Sequence, residues 1–159
     1  MSTASSPSDR TTADSMSASQ TITLILGIAF TLVGVIGFAV TGTANFAEAD
    51  TGKTLLGFEL NPLHNIVHLA VGVAGLLLWR TSGLSRIYGY ALFAAYGAAF
   101  IYGLFTVNST SAANFLSMND ADNGLHLVSA LVGLAAGMLA SAPATGRMRS
   151  MRGQRPKPV

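Results

Sequence analysis

Four apolar stretches, each close to the length of a membrane-crossing helix, limit what this chain can fold into. They run from about Thr21 to Thr41, Pro62 to Trp79, Arg86 to Val107 and Asp122 to Ala142. A hydrocarbon core about 30 Å thick needs roughly 20 helical residues to cross. In lipid the backbone must satisfy its own polar groups, which leaves helices or closed barrels. These runs lack the two-residue alternation of barrel strands. The expected fold class is therefore all-α, a four-transmembrane-helix bundle. Charged residues make up only 10% of the 159, against about 25% in soluble domains.

The segments flanking the apolar runs complete a domain plan. Residues 1–19 are rich in Ser, Thr and Ala without a hydrophobic period, which reads as a disordered cytoplasmic tail. They lack the basic start of a signal peptide. Residues 20–142 form the membrane domain, and residues 143–159 a basic tail with Arg147, Arg149, Arg152, Arg155 and Lys157. That short juxtamembrane run reads as a topology determinant, and no nucleic-acid partner is expected from it. Arg80 and Arg86 flank the connection between the second and third runs. The other two connections carry Glu48, Asp50, Glu59 and Asp120 against a single Lys53. The basic side is the cytoplasmic one, so both termini lie inside and the acidic loops outside.

Within this frame one motif occurs twice. His64-Asn65-Ile66-Val67-His68-Leu69 opens the second run and Asp122-Asn123-Gly124-Leu125-His126-Leu127 the fourth. Both read Asn-x-x-His-Leu, 58 residues apart. Asn61-Pro62 places a capping side chain before a proline at the first helical position. Asp120 and Asp122 are expected to cap the fourth helix, where their charge suits the helix dipole. Glycines follow both motifs (Gly72 and Gly75; Gly133 and Gly137) and punctuate the preceding runs, with Gly34 matched to Gly97. The chain thus reads as two similar helical hairpins in parallel orientation, with glycines that let helices approach closely.

Ionisable side chains are expensive in lipid, so matched pairs near one membrane face mark a candidate site. At about 1.5 Å per residue, His68 and His126 lie roughly 6–9 Å below the outer helix ends. Neutral imidazole both hydrogen-bonds and ligates metals, so three readings stand side by side. Asn61, Asn65, Asn123 and the histidines form a structural polar cluster bonding helix to helix. Alternatively His64, His68, His126 and Asp122 bind a divalent metal. As a third reading, His68 and His126 hold haem b from opposite helices. The absence of cysteine removes disulfides, iron–sulfur clusters and covalent haem attachment. No nucleophile–base pair, phosphate loop or paired buried carboxylates are apparent, so an enzyme is the less expected outcome. The lipid bilayer is the expected partner, beside a second membrane protein or a second copy of the chain.

The sequence Asn61-Pro62-Leu63-His64-Asn65-Ile66-Val67-His68-Leu69, with Gly72 and Gly75 behind it and the Asn123/His126 echo, resembles the bacterial domain-of-unknown-function family 4383. The likeness covers about residues 20–142. It implies a small multi-pass plasma-membrane protein of unassigned activity, accessory or structural in character. The signature positions carried over are Asn61, His64, Asn65, His68, Asn123 and His126. Asp122 stands where the first copy has His64, so the echo is imperfect and a symmetric four-histidine site is excluded.

Overall fold

A computed structural model describes residues 16–140. The basic tail and all but the end of the N-terminal tail lie outside these residues. Four helices carry the fold: α1 (Ala18–Thr41), α2 (Pro62–Leu78), α3 (Ser82–Thr106) and α4 (Asp120–Met138). A minimal hairpin, β1 (Thr54–Leu55) and β2 (Phe58–Glu59), interrupts the α1–α2 connection. Leu56 and Gly57 turn it with φ of 54° and 91°, the paired positive values of a tight type I′ turn. No apolar or polar period marks strands this short, so the sequence gives no sign of them.

The helix starts follow local capping chemistry. Ser17 forms a capping box with Gln20, so α1 begins three residues before Thr21 and claims the end of the expected tail. The Thr81 side chain accepts from the Leu84 N–H, which starts α3 ahead of Arg86. Asn61 caps α2 as expected, its Oδ1 accepting from His64 N at 2.8 Å. The cap of α4 is corrected: Asn119, not an aspartate, accepts from the Asp122 N–H. Asp122 answers by accepting from the Asn119 N–H at 3.0 Å, the second half of a capping box. The helix ends at Met138, short of Ala142.

Each helix packs chiefly on its sequence neighbour, α1 on α2 and α3 on α4, with thinner contacts between the two hairpins. Glycines set the close approach. A Cβ on Gly27 would stand 2.7 Å from the Leu76 nitrogen, and one on Gly89 would stand 2.7 Å from the Gly133 carbonyl oxygen. In both hairpins a glycine of the first helix faces the motif asparagine of the second, Gly37 against Asn65 and Gly103 against Asn123. The expected match of Gly34 to Gly97 does not hold in packing. Gly34 lies against the α2 backbone, whereas a Cβ on Gly97 meets nothing within 4 Å among the described residues.

Polarity is distributed inside out. Ser19, Thr23, Asn61, His64, Asn65, Ser85 and Asp122 are buried, while Ile25, Leu32, Val35, Leu77, Ile101, Leu104, Val128 and Leu131 are exposed. The buried apolar core is small, centred on Phe30, Tyr88, Leu92 and Tyr96. α1 and α3, with 24 and 25 residues, are long and apolar enough to cross a membrane. α2 is shorter at 17 residues, and α4 spends its first turn on two aspartates.

Candidate functional site

His68 and His126 are each the seventh residue of their helices, counted from Pro62 and Asp120. A rise of about 1.5 Å per residue puts both some 9 Å below the helix starts. Packing turns them toward one another and brings His64, one turn above His68, into the same space. The His64 ring centroid stands 4.4 Å from that of His68 and 5.8 Å from that of His126. One ring nitrogen from each of the three lies within 4.8 Å of the others. All three side chains are buried, with 1%, 6% and 4% of their surface exposed.

Aromatic rings hold this cluster from below. Phe30 of α1 stacks on His68 at 5.7 Å, and Tyr96 of α3 meets His126 edge-on at 5.3 Å. Every helix therefore contributes to the site. Among the described residues the Nδ1 atoms of His64, His68 and His126 are buried without a hydrogen-bond partner, as are Asn65 Oδ1, Asn123 Oδ1 and the Tyr96 hydroxyl. Buried polar atoms are nearly always paired, so three such nitrogens in one cluster require an explanation.

The motif asparagines act differently from the histidines. Asn65 Nδ2 donates to Thr41 Oγ1 at 2.8 Å, an α2-to-α1 bond. Asn61 Nδ2 donates to the carbonyls of Glu48 and Phe115 at 3.0 and 2.7 Å, drawing the α1–α2 and α3–α4 connections onto the start of α2. Asn123 is buried against Gly103.

The α1–α2 and α3–α4 connections interlock at the histidine end of the bundle. Asp122 Oδ2 accepts from the Glu59 N–H at 2.9 Å. Glu59 Oε1 accepts from Ser117 Oγ at 2.7 Å and from the Gly52 N–H at 3.2 Å. Ser117 reaches that position with a φ of 51°, a left-handed conformation uncommon for a residue with a side chain. Asn119 Nδ2 donates to the Gly57 carbonyl at 2.9 Å, pinning the β-turn. Glu59 and Asp122 are 8% and 2% exposed. Two neighbouring buried acids are thus present after all. They escape notice in the sequence because Glu59 lies in a connection that reads as exposed loop.

Asp122 stands outside the group whose donors lie within 4.8 Å, but it lines the same cavity as His68 and His126. That cavity measures about 80 Å³ and is otherwise walled by apolar side chains, among them Leu55, Phe58, Leu60 and Leu125. A second cavity of about 60 Å³ touches the other side of the cluster, between α2 and α3.

No curated protein and no solved structure matches the chain. The model of one family does, over residues 20–139. That match reaches all four helices, both the α1–α2 and α3–α4 connections and every histidine, and the chain belongs to that family, described as a domain of unknown function (DUF4383).

Proposed function

We propose that this chain is a four-span protein of the bacterial plasma membrane that holds a divalent transition-metal ion in a buried three-histidine site beneath its outer loops. Both termini are cytoplasmic in this reading, and the two hairpins descend from one duplicated unit. The observation that carries the metal reading is the convergence of three buried imidazoles whose Nδ1 atoms have no partner. If the histidines served only to bond helix to helix, those nitrogens would be paired across the bundle, as the Asn65 Nδ2 group is with Thr41 Oγ1. Metal–nitrogen bonds of about 2.0–2.1 Å put tetrahedral donors roughly 3.4 Å apart. Binding would draw the three nitrogens, now within 4.8 Å of one another, closer together. Asp122, on the shared cavity, supplies the fourth donor. Haem b fits less well, because donor atoms of His68 and His126 lie within 4.8 Å of each other and of His64, which leaves no room for a macrocycle between them.

The membrane reading rests on the inside-out polarity. Aliphatic side chains line the outer faces of the helices, while Ser, Thr, Asn, His and Gly face inward. In water such a surface would aggregate; in lipid it is the ordinary arrangement, with small and polar residues at helix contacts. α2, at about 1.5 Å per residue, is roughly 25 Å long, and the cap above it adds the remaining depth.

Two measurements test this reading. Protein purified in detergent and dialysed against Zn(II) is expected to retain about one ion per chain by elemental analysis, and the His68→Ala/His126→Ala variant none. Equal metal in both would remove the histidines from the site. For topology, the chain has no cysteine of its own, so Ala44→Cys and Gly83→Cys report cleanly. Ala44→Cys is expected to react with an impermeant maleimide on whole cells and Gly83→Cys only after lysis. The opposite pattern would invert the orientation.

A further inference from the structure

Resting on the metal reading, we propose that the site is charge-matched to a dication, with Glu59 as a positioning residue that fixes Asp122 and shares in balancing the ion. Three neutral imidazoles contribute no charge, so an ion among them alone would be costly to bury. The cost of moving a charge out of water grows with its square, making a dication about four times worse than a monocation. Glu59 and Asp122 lie immediately above, both buried. The described bases lie elsewhere: Lys53 Nζ donates to the Thr41 carbonyl at 2.7 Å, Arg86 reaches the Ala140 carbonyl beyond the far end of the bundle, and Arg80 follows the C-terminal end of α2, away from the histidines. When both are ionised, these two carboxylates, with no basic side chain bonded to them among the described residues, set two negative charges beside three neutral donors, and one divalent ion balances them.

The geometry gives the two acids different tasks. Asp122 uses Oδ2 for the backbone N–H groups of Glu59 and Asn119, and no donor to its Oδ1 is found among the described residues. Oδ1 is the atom free to face the ion. Glu59 touches no histidine through its carboxylate, which is held by Ser117 and Gly52. It acts through its main chain on Asp122 and through its charge on the ion. Outer partners of this kind are worth about 10–100-fold in metal affinity.

Charge matching makes a prediction that simple packing does not. The energy of an ion in the field of a carboxylate is proportional to the ion's charge. Glu59→Gln keeps the size of the side chain, its acceptor oxygen and its backbone N–H, and removes only charge. Co(II) affinity, followed by the visible absorption of the tetrahedral ion and by competition with a chelator, is expected to fall about 10–100-fold. Ag(I), a monovalent probe of the same imidazoles, should lose only about the square root of that, roughly 3–10-fold. Asp122→Asn should also weaken Co(II) more than Ag(I), with loss of the tetrahedral absorption. Equal losses for both ions, or an unchanged Co(II) affinity in Glu59→Gln, would overturn the proposal and leave the histidine site standing. A wild-type protein that binds neither Co(II) nor Zn(II) would overturn both.

Discussion

Gly27→Val is expected to abolish the packing of α1 on α2, whereas Gly97→Ala is expected to leave the protein at least as stable as before. At Gly27 a single added carbon would stand 2.7 Å from the Leu76 nitrogen and 2.9 Å from the Gly75 carbonyl carbon. Those are backbone atoms within a regular helix, and they cannot turn aside as a side chain can. Valine adds two methyls to that carbon, so α1 must move off α2 along most of its length. Overpacking in a close contact costs about 1–3 kcal/mol when side chains can adjust. Here the neighbour is rigid, and the loss should reach at least about 3 kcal/mol. Gly89→Val is expected to do the same to α3 and α4, where the Gly133 carbonyl and the Gly137 nitrogen stand in the way. Gly97 has open space instead, so alanine there brings only its better helix propensity, up to about 1 kcal/mol. Thermal unfolding of the three variants in detergent, followed by far-ultraviolet circular dichroism, separates these outcomes. An unshifted transition for Gly27→Val would mean that the α1–α2 seam is looser than the close approach implies.

That contrast also marks how far the sequence can be read. The glycine-rich runs announce close helix contacts, because small residues are what such contacts need. Which glycine sits on which seam depends on helix rotation, and 3.6-residue periodicity with apolar residues on every face does not fix rotation. Gly34 and Gly97 look equivalent in a linear alignment, yet one is sealed and the other open. The same limit applies to the histidines. Their shared depth follows from Asn61-Pro62 and from the Asp120–Asp122 segment, both readable as helix starts. Their convergence does not, since it needs α2 and α4 to turn specific faces inward. The outer cap was the least legible part. Its order comes from long-range bonds such as Ser117 to Glu59 and Asn61 to Phe115, made by residue types common in any exposed loop. Asn119 rather than Asp122 caps α4 for a related reason: both residue types cap well, and only the backbone path decides between them.

Asp122→Ala is expected to cost about 3 kcal/mol of stability in the metal-free protein, while Asp122→Asn costs less than about 1 kcal/mol. One oxygen of Asp122 accepts two backbone N–H groups, those of Glu59 at 2.9 Å and Asn119 at 3.0 Å. The first ties the α1–α2 connection to the start of α4, and the second closes the capping box. Alanine leaves both donors without a partner in a buried setting, each at a penalty of about 1–3 kcal/mol. Asparagine retains an oxygen at the same position, so both bonds can persist. Metal affinity should follow a different order. If Asp122 is the fourth donor, both substitutions weaken binding, because an amide oxygen is a poorer ligand than a carboxylate and carries no charge. Stability of the metal-free variants in a chelator, set beside their Zn(II) affinity, therefore separates the two roles of one side chain. Should Asp122→Asn keep full stability and also full affinity, Asp122 would be a latch of the outer loops alone, and the ion would rest on the three histidines with a fourth position left open to the cavity beside them.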